Sequence, residues 1–126
     1  MGKSSVNSNH QNLIVYQKAK IASKEMFLFF SKKKYSRTYD FLILQLLRAL
    51  YSIGANIAEG YGRHYRKNYR QFLSIARGSC FEAQYWLESI LEIGLIDKTL
   101  YDKYNDICIE IGKMLTVMMK KLEIKS

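Results

Sequence analysis

The chain has 126 residues, enough for one modest hydrophobic core and too few for two independent ones, so it reads as a single domain. It holds no proline and only 7 glycines against 48% hydrophobic residues, which excludes a β-rich or loop-rich chain and favours helices. Lys and Arg number 20 against 11 Asp and Glu, a formal net charge of +9 that attracts polyanions and sets nucleic acid first among partners.

The surplus is uneven along the chain. Residues 1–77 hold 14 basic and 3 acidic side chains, whereas residues 78–126 hold 6 and 8, which predicts that one end of the molecule is the binding end. An acidic membrane surface would attract the same charge, but the apolar residues recur at core spacing and no uninterrupted apolar run approaches bilayer length, so no membrane partner is expected. The opening MGKSSVNSNHQ has no apolar signal region, and Val6 stands where a myristoylation signal needs Ser or Thr; a cytoplasmic protein is expected. Residues 1–11 are polar and without periodicity and read as a disordered lead-in to a helical domain over residues 12–126.

Four amphipathic segments follow. In the first, Val15, Ala19, Ala22, Met26 and Phe29 line one side of a helix from about Asn12 to Lys33, which the run Lys32-Lys33-Lys34 with Tyr35 and Ser36 ends. The second runs from about Asp40 to Glu59 with Leu46, Leu50, Ile53 and Ile57 on its core face, Asp40 or Thr38 as its cap and Gly60 and Gly62 as its stop. The third is the longest: Tyr69, Leu73, Ala76, Cys80, Ala83, Leu87, Ile90 and Gly94 alternate steps of four and three. In the fourth, from about Lys98 to Leu122, Leu100, Tyr104, Ile107, Ile111, Met114 and Met118 keep the same rhythm behind an Asp97 N-cap. The methionines read as core filling, and Cys80 and Cys108, inside helical patterns without partners at metal-ligand spacing, read as buried free thiols. Short connections make this an all-α, antiparallel up-down four-helix bundle.

Three surfaces are left over from the core. On the third helix Arg66, Arg70 and Arg77 share a side about a quarter-turn from Tyr69. Arg63, His64 and Lys67 extend that stripe, and Tyr61, Tyr65 and Tyr69 are interleaved with it. Guanidinium groups pair with phosphate oxygens while tyrosines stack on unpaired bases, which suits RNA ahead of DNA; Lys32, Lys33, Lys34 and Arg37 form a second basic cluster for the same ligand. Phe81 and Tyr85 point almost opposite to the core and read as an oligomer interface or as the docking face of an adaptor. On the second helix Gln45, Arg48, Ser52, Asn56, Glu59 and Arg63 form a polar ridge suited to interhelical hydrogen bonds, with Glu59 four residues before Arg63. Gly60 and Gly62 follow a helix and not a strand, so they make a poor phosphate loop.

No enzyme is expected. The histidines are His10, in the lead-in, and His64, in a connection; no Glu-x-x-His pair or nucleophile-base arrangement is present, so no metal, cofactor or small-molecule substrate is expected either.

The stretch QLLRALYSIGANIAEGYGR from Gln45 to Arg63, followed by YRQFLSIARGSCFE from Tyr69 to Glu82, resembles the 23S rRNA intervening-sequence proteins. The opening Val15-Tyr16-Gln17-Lys18-Ala19 is similar to that family's Trp-Gln-Lys-Ala start, with Tyr16 in place of the tryptophan; Cys80 and Phe81 depart from its plainer aliphatic residues. The resemblance implies an antiparallel four-helix bundle that assembles into a ring, typically a homopentamer, with no established enzymatic activity. It extends to the accessory variability determinant (Avd) proteins of diversity-generating retroelements, which implies a reverse transcriptase and its template RNA as partners.

Overall fold

The computed structural model describes residues 10, 13–63 and 65–123. Four helices run through them: α1 (Ile14–Phe30), α2 (Arg37–Tyr61), α3 (Arg66–Glu92) and α4 (Lys98–Lys121), with no strand among the described residues. Each helix packs on the next and α4 returns to α1, closing an up-down bundle in which α2 against α3 is the broadest seam and α1 against α4 the thinnest. Of the proposed lead-in, His10 alone is described: its ring meets Tyr16 edge-on at 4.9 Å. The remainder of that segment lies outside the described residues.

Local chemistry sets the helix ends. Asp97 caps α4 as its position predicts, its Oδ1 accepting the Leu100 N–H at 2.9 Å. The start of α2 differs: Ser36 is the cap, accepting the Tyr39 N–H at 3.3 Å, so Asp40 falls in the first turn, where its charge meets unpaired N–H groups. Gly94 is not the last core position of α3 but the turn beyond it. Its φ of 78° lets the Leu95 N–H reach back to the Ile90 carbonyl at 2.9 Å, satisfying a carbonyl that the helix end leaves open.

The core of α3 follows its spacing, with Leu73, Ala76, Cys80, Ala83, Leu87 and Ile90 all buried. On α1 the buried ring is Phe30, with Phe29 only packed against the core from its edge. The stripe of α4 keeps Tyr104 and Ile111 buried as their spacing predicts but shifts by one residue at three places: Cys108, Leu115 and Met119 are buried, while Ile107, Met114 and Met118 lie at the margin. Both members of each neighbouring pair are apolar, so periodicity could not choose between them. Cys80 and Cys108 are free and buried. Burial pushes both thiols up to about 12, with Cys108 adding to the shift at Cys80, so neither is a thiolate near neutrality.

Helix α2 is apolar well beyond its core stripe. Gln45, Arg48, Ser52 and Asn56 interrupt any continuous run, yet one 18-residue stretch has a mean hydropathy of 1.5, enough by length and composition to cross a membrane, and only 39% of that stretch is buried.

Candidate nucleic-acid interface

The alternation of helix direction puts the α1–α2 and α3–α4 connections at one end of the bundle. The α2–α3 connection and the last turn of α4 lie at the other. A 25-residue helix is ~37 Å long, so the Lys32, Lys33, Lys34 and Arg37 cluster and the Arg63–Arg77 stripe sit at opposite ends and cannot form one binding end. Their surroundings differ. Among the described residues, the half around the α2–α3 connection (residues 13–22, 50–79 and 110–123) carries ten basic and three acidic side chains, and the other half carries eight of each. Glu88, Glu92, Asp97, Asp102 and Asp106 share the end that holds the lysine cluster and cancel it.

Within the basic half the stripe divides by role. Arg63 donates to Glu59 Oε2 at 2.7 Å and lies over the Phe72 ring at 4.9 Å, on the α2 side of α3. Arg70, on the α4 side, donates from Nε to the Met119 carbonyl at 3.2 Å, placing its cation at the negative, C-terminal end of α4. Arg77 Nη1 donates to Thr116 Oγ1 at 3.0 Å. These three arginines hold helices together. Arg66 and Lys67 stay exposed beside them, and the last turn of α4 brings exposed Lys120 and Lys121 to the same end of the bundle, which spacing within one helix could not do. Lys67, Arg70, Gln71 and Ser74 line an open depression of about 640 Å³ here, closed on its far side by Leu122 and Glu123.

The interleaved tyrosines also divide. Tyr61 and Tyr69 meet edge-on at 5.8 Å, and burial, with Tyr61 adding, raises the Tyr69 hydroxyl above its ordinary value. Tyr65 is 73% exposed beside Arg66 and is the one of the three presented for stacking. His64 lies outside the described residues.

The polar ridge is mostly internal bonding. Ser52 Oγ and Ser79 Oγ are 2.9 Å apart across the α2–α3 seam, and Asn56 Nδ2 donates to the Ser52 carbonyl at 2.8 Å and to its hydroxyl at 3.0 Å. Gln45 and Arg48 instead line a small polar pocket with Ser52 and Glu82, whose carboxylate accepts the Trp86 indole N–H at 3.3 Å. Gly60 serves the seam rather than a phosphate: a Cβ there would come within 2.7 Å of Phe72 Cβ. Phe81 and Tyr85 stand in solvent on α3. No three His, Cys, Asp or Glu side chains gather as a metal site among the described residues.

The model of the 23S rRNA-intervening sequence protein family matches residues 11–117. The chain belongs to that family. This 23S rRNA-intervening sequence family protein is similar to a crystallised protein of unknown function from the S23 ribosomal protein family of Bacteroides thetaiotaomicron VPI-5482. The two are 27% identical, with 85% of this chain and 99% of that one covered, at a TM-score of 0.75. No curated protein matches it. In this family member the residues that carry the resemblance concentrate on the α2–α3 seam: Ser52, Asn56, Gly60 and Ser79 set the approach of the two longest helices.

Proposed function

We propose that this protein is a non-enzymatic nucleic-acid-binding accessory protein that takes RNA ahead of DNA and meets its phosphates with the basic end of the bundle. The ten-to-three excess of cations in that half carries the reading, because the sequence-independent part of nucleic-acid affinity comes from phosphate neutralisation. Arg66, Lys67, Lys120 and Lys121 are exposed members at the tip of that end, and the open ring of Tyr65 supplies a platform for an unpaired base. A homo-oligomeric ring, a pentamer as the family resemblance implies, repeats this end about an axis.

Replacing those four cations together by Ala lowers affinity for a structured RNA about a hundredfold in a gel shift at moderate salt, with helical circular dichroism unchanged. Unchanged affinity refutes the assignment. The exposed aromatic pair Phe81 and Tyr85 supports a second reading, an adaptor that docks a reverse transcriptase or another protein. Its partner survives nuclease treatment in a pull-down; a partner lost with the RNA rejects it.

A further inference from the structure

Helices α3 and α4 enclose a groove that begins at the basic end. On α3, Lys67, Arg70, Ser74, Arg77, Phe81 and Gln84 follow one another at steps of three and four, so they share one side of the helix. The depression beside Lys67 and Arg70 leads, a turn further along, to a second of about 280 Å³ between Phe81 and Ile109. Buried Cys80 and Cys108 floor it, and Arg77, Gln84 and Lys113 stand around it. Three cross-helix hydrogen bonds fix the width of the groove: Arg70 to the Met119 carbonyl, Arg77 to Thr116 Oγ1, and Gln84 Nε2 to Asn105 Oδ1 at 2.9 Å. The walls are held before any ligand arrives.

The charge of the groove is one-sided. Along the two depressions Lys67, Arg70, Arg77 and Lys113 meet a single carboxylate, that of Glu123, 4.0 Å from Arg70. Arg70 and Arg77 are occupied by α4, whereas Lys67 and Lys113 are exposed and have no ion-pair partner among the described residues. One step beyond Gln84 comes Glu88, and α4 presents Asp102, already paired with Lys98 at 3.0 Å. Along the groove, the free cations therefore end where the second depression ends.

That depression is apolar at its base and cationic at its rim. Phe81 is 62% exposed, and Gly112 stands in mid-helix where a Cβ would meet nothing within 4 Å. A helix interior ordinarily avoids glycine, and no neighbour in the chain requires one here. What the missing side chain leaves is room beside an open aromatic ring. An unpaired nucleobase fits both features, because it stacks on the ring while its own backbone reaches a lysine. A base inside a duplex cannot enter, since both its faces are already stacked. A partner protein would need an acidic side chain at each lysine and an apolar one between them. Continuity with the basic end favours the nucleic acid, whose phosphates recur at every nucleotide.

We propose that the α3–α4 groove is the track of an unpaired RNA strand, with Lys67 and Lys113 on its phosphates and one base in the depression against Phe81. The inference rests on the RNA reading of the proposed function and adds the path of the strand and its single-stranded form. Lys67 and Phe81 are ~21 Å apart along the helix axis, so the contact covers a few nucleotides between the tip of the bundle and the depression.

Gly112→Leu tests the track, because the new side chain fills the depression and its first carbon meets no neighbour. Fluorescence anisotropy of the full-length chain with a labelled, unstructured uridine-rich RNA shows affinity reduced about tenfold by Gly112→Leu and by Phe81→Ala, and unchanged by Phe41→Ala, a comparably exposed ring on α2. Circular dichroism and native mass spectrometry of the variants match the wild type. A thiouridine-substituted oligonucleotide cross-links, under ultraviolet light, to the peptide that holds Phe81. Full affinity in Gly112→Leu, or cross-links only outside the groove, overturns the track. So does a Phe81→Ala variant whose assembly state changes along with its binding, which makes Phe81 a protein contact. The Ala variant of Arg66, Lys67, Lys120 and Lys121 separates the two readings. If it loses RNA while Gly112→Leu keeps it, the basic end stands and the groove falls; if the unaltered chain binds no RNA, both fall.

Discussion

The two ends of the bundle contain similar numbers of cations and opposite prospects for binding. Lys32, Lys33 and Lys34 are the densest basic run in the sequence, yet the fold brings acids from α3 and α4 to the same end and the field there cancels. Around the α2–α3 connection no run is as dense, but three helices and the connection deliver their cations together and only three acids accompany them. A charge run along a chain is therefore a poor guide to a field in space, because screening leaves only neighbours within about a Debye length, ~8–10 Å at ordinary salt, to count.

The largest effect that sharpens this contrast is on RNA affinity. Reversing Arg66, Lys67, Lys120 and Lys121 to Glu lowers it by about a thousandfold in a salt-controlled gel shift, whereas reversing Lys32, Lys33, Lys34 and Arg37 lowers it less than about threefold. Equal losses would erase the distinction between the ends. The glycines come next. Gly60→Ala at the basic end drives a Cβ into Phe72 and costs about 1–3 kcal/mol in urea unfolding. Gly94→Ala at the other end is strained by a φ of 78° and costs about 1–2 kcal/mol.

Arg77→Ala, which frees Thr116, costs about 0.5–1.5 kcal/mol of stability and changes RNA affinity less than about threefold; a larger loss of binding than of stability would return Arg77 to the interface. The smallest change is that of stability between pH 6 and 8, about nil. Burial raises both thiols from 9.0 to about 12, so the folded state holds their protons more tightly than the unfolded state does. Their contribution is complete below pH 9, and it is lost as pH rises from 9 towards 12. A urea midpoint flat to pH 9 and falling above it, less steeply in Cys80→Ala/Cys108→Ala, tests this.

Much of the fold was legible because it depends on local chemistry and period. The 4-3 rhythm of α3 and the Asp97 cap needed no tertiary information. The register of α4 did, since Ile107-Cys108, Met114-Leu115 and Met118-Met119 offer apolar residues on both sides of the choice and only packing against α1 and α3 decides. The site was legible in composition and not in geometry. The sequence put Arg70 and Arg77 on one side of α3 but could not show that α4 supplies each with a partner, the Met119 carbonyl and the Thr116 hydroxyl, and Lys120 and Lys121 reach the same end of the bundle as Arg66 only through the antiparallel return of that helix.

The thin α1–α4 seam has a consequence for how the molecule opens. Helix α1 is held broadly only by α2, and its bridges to α4 are three polar contacts near the surface. Amide protons of α1 should therefore exchange with solvent water before those of α2 and α3, through detachment of one helix from a three-helix kernel.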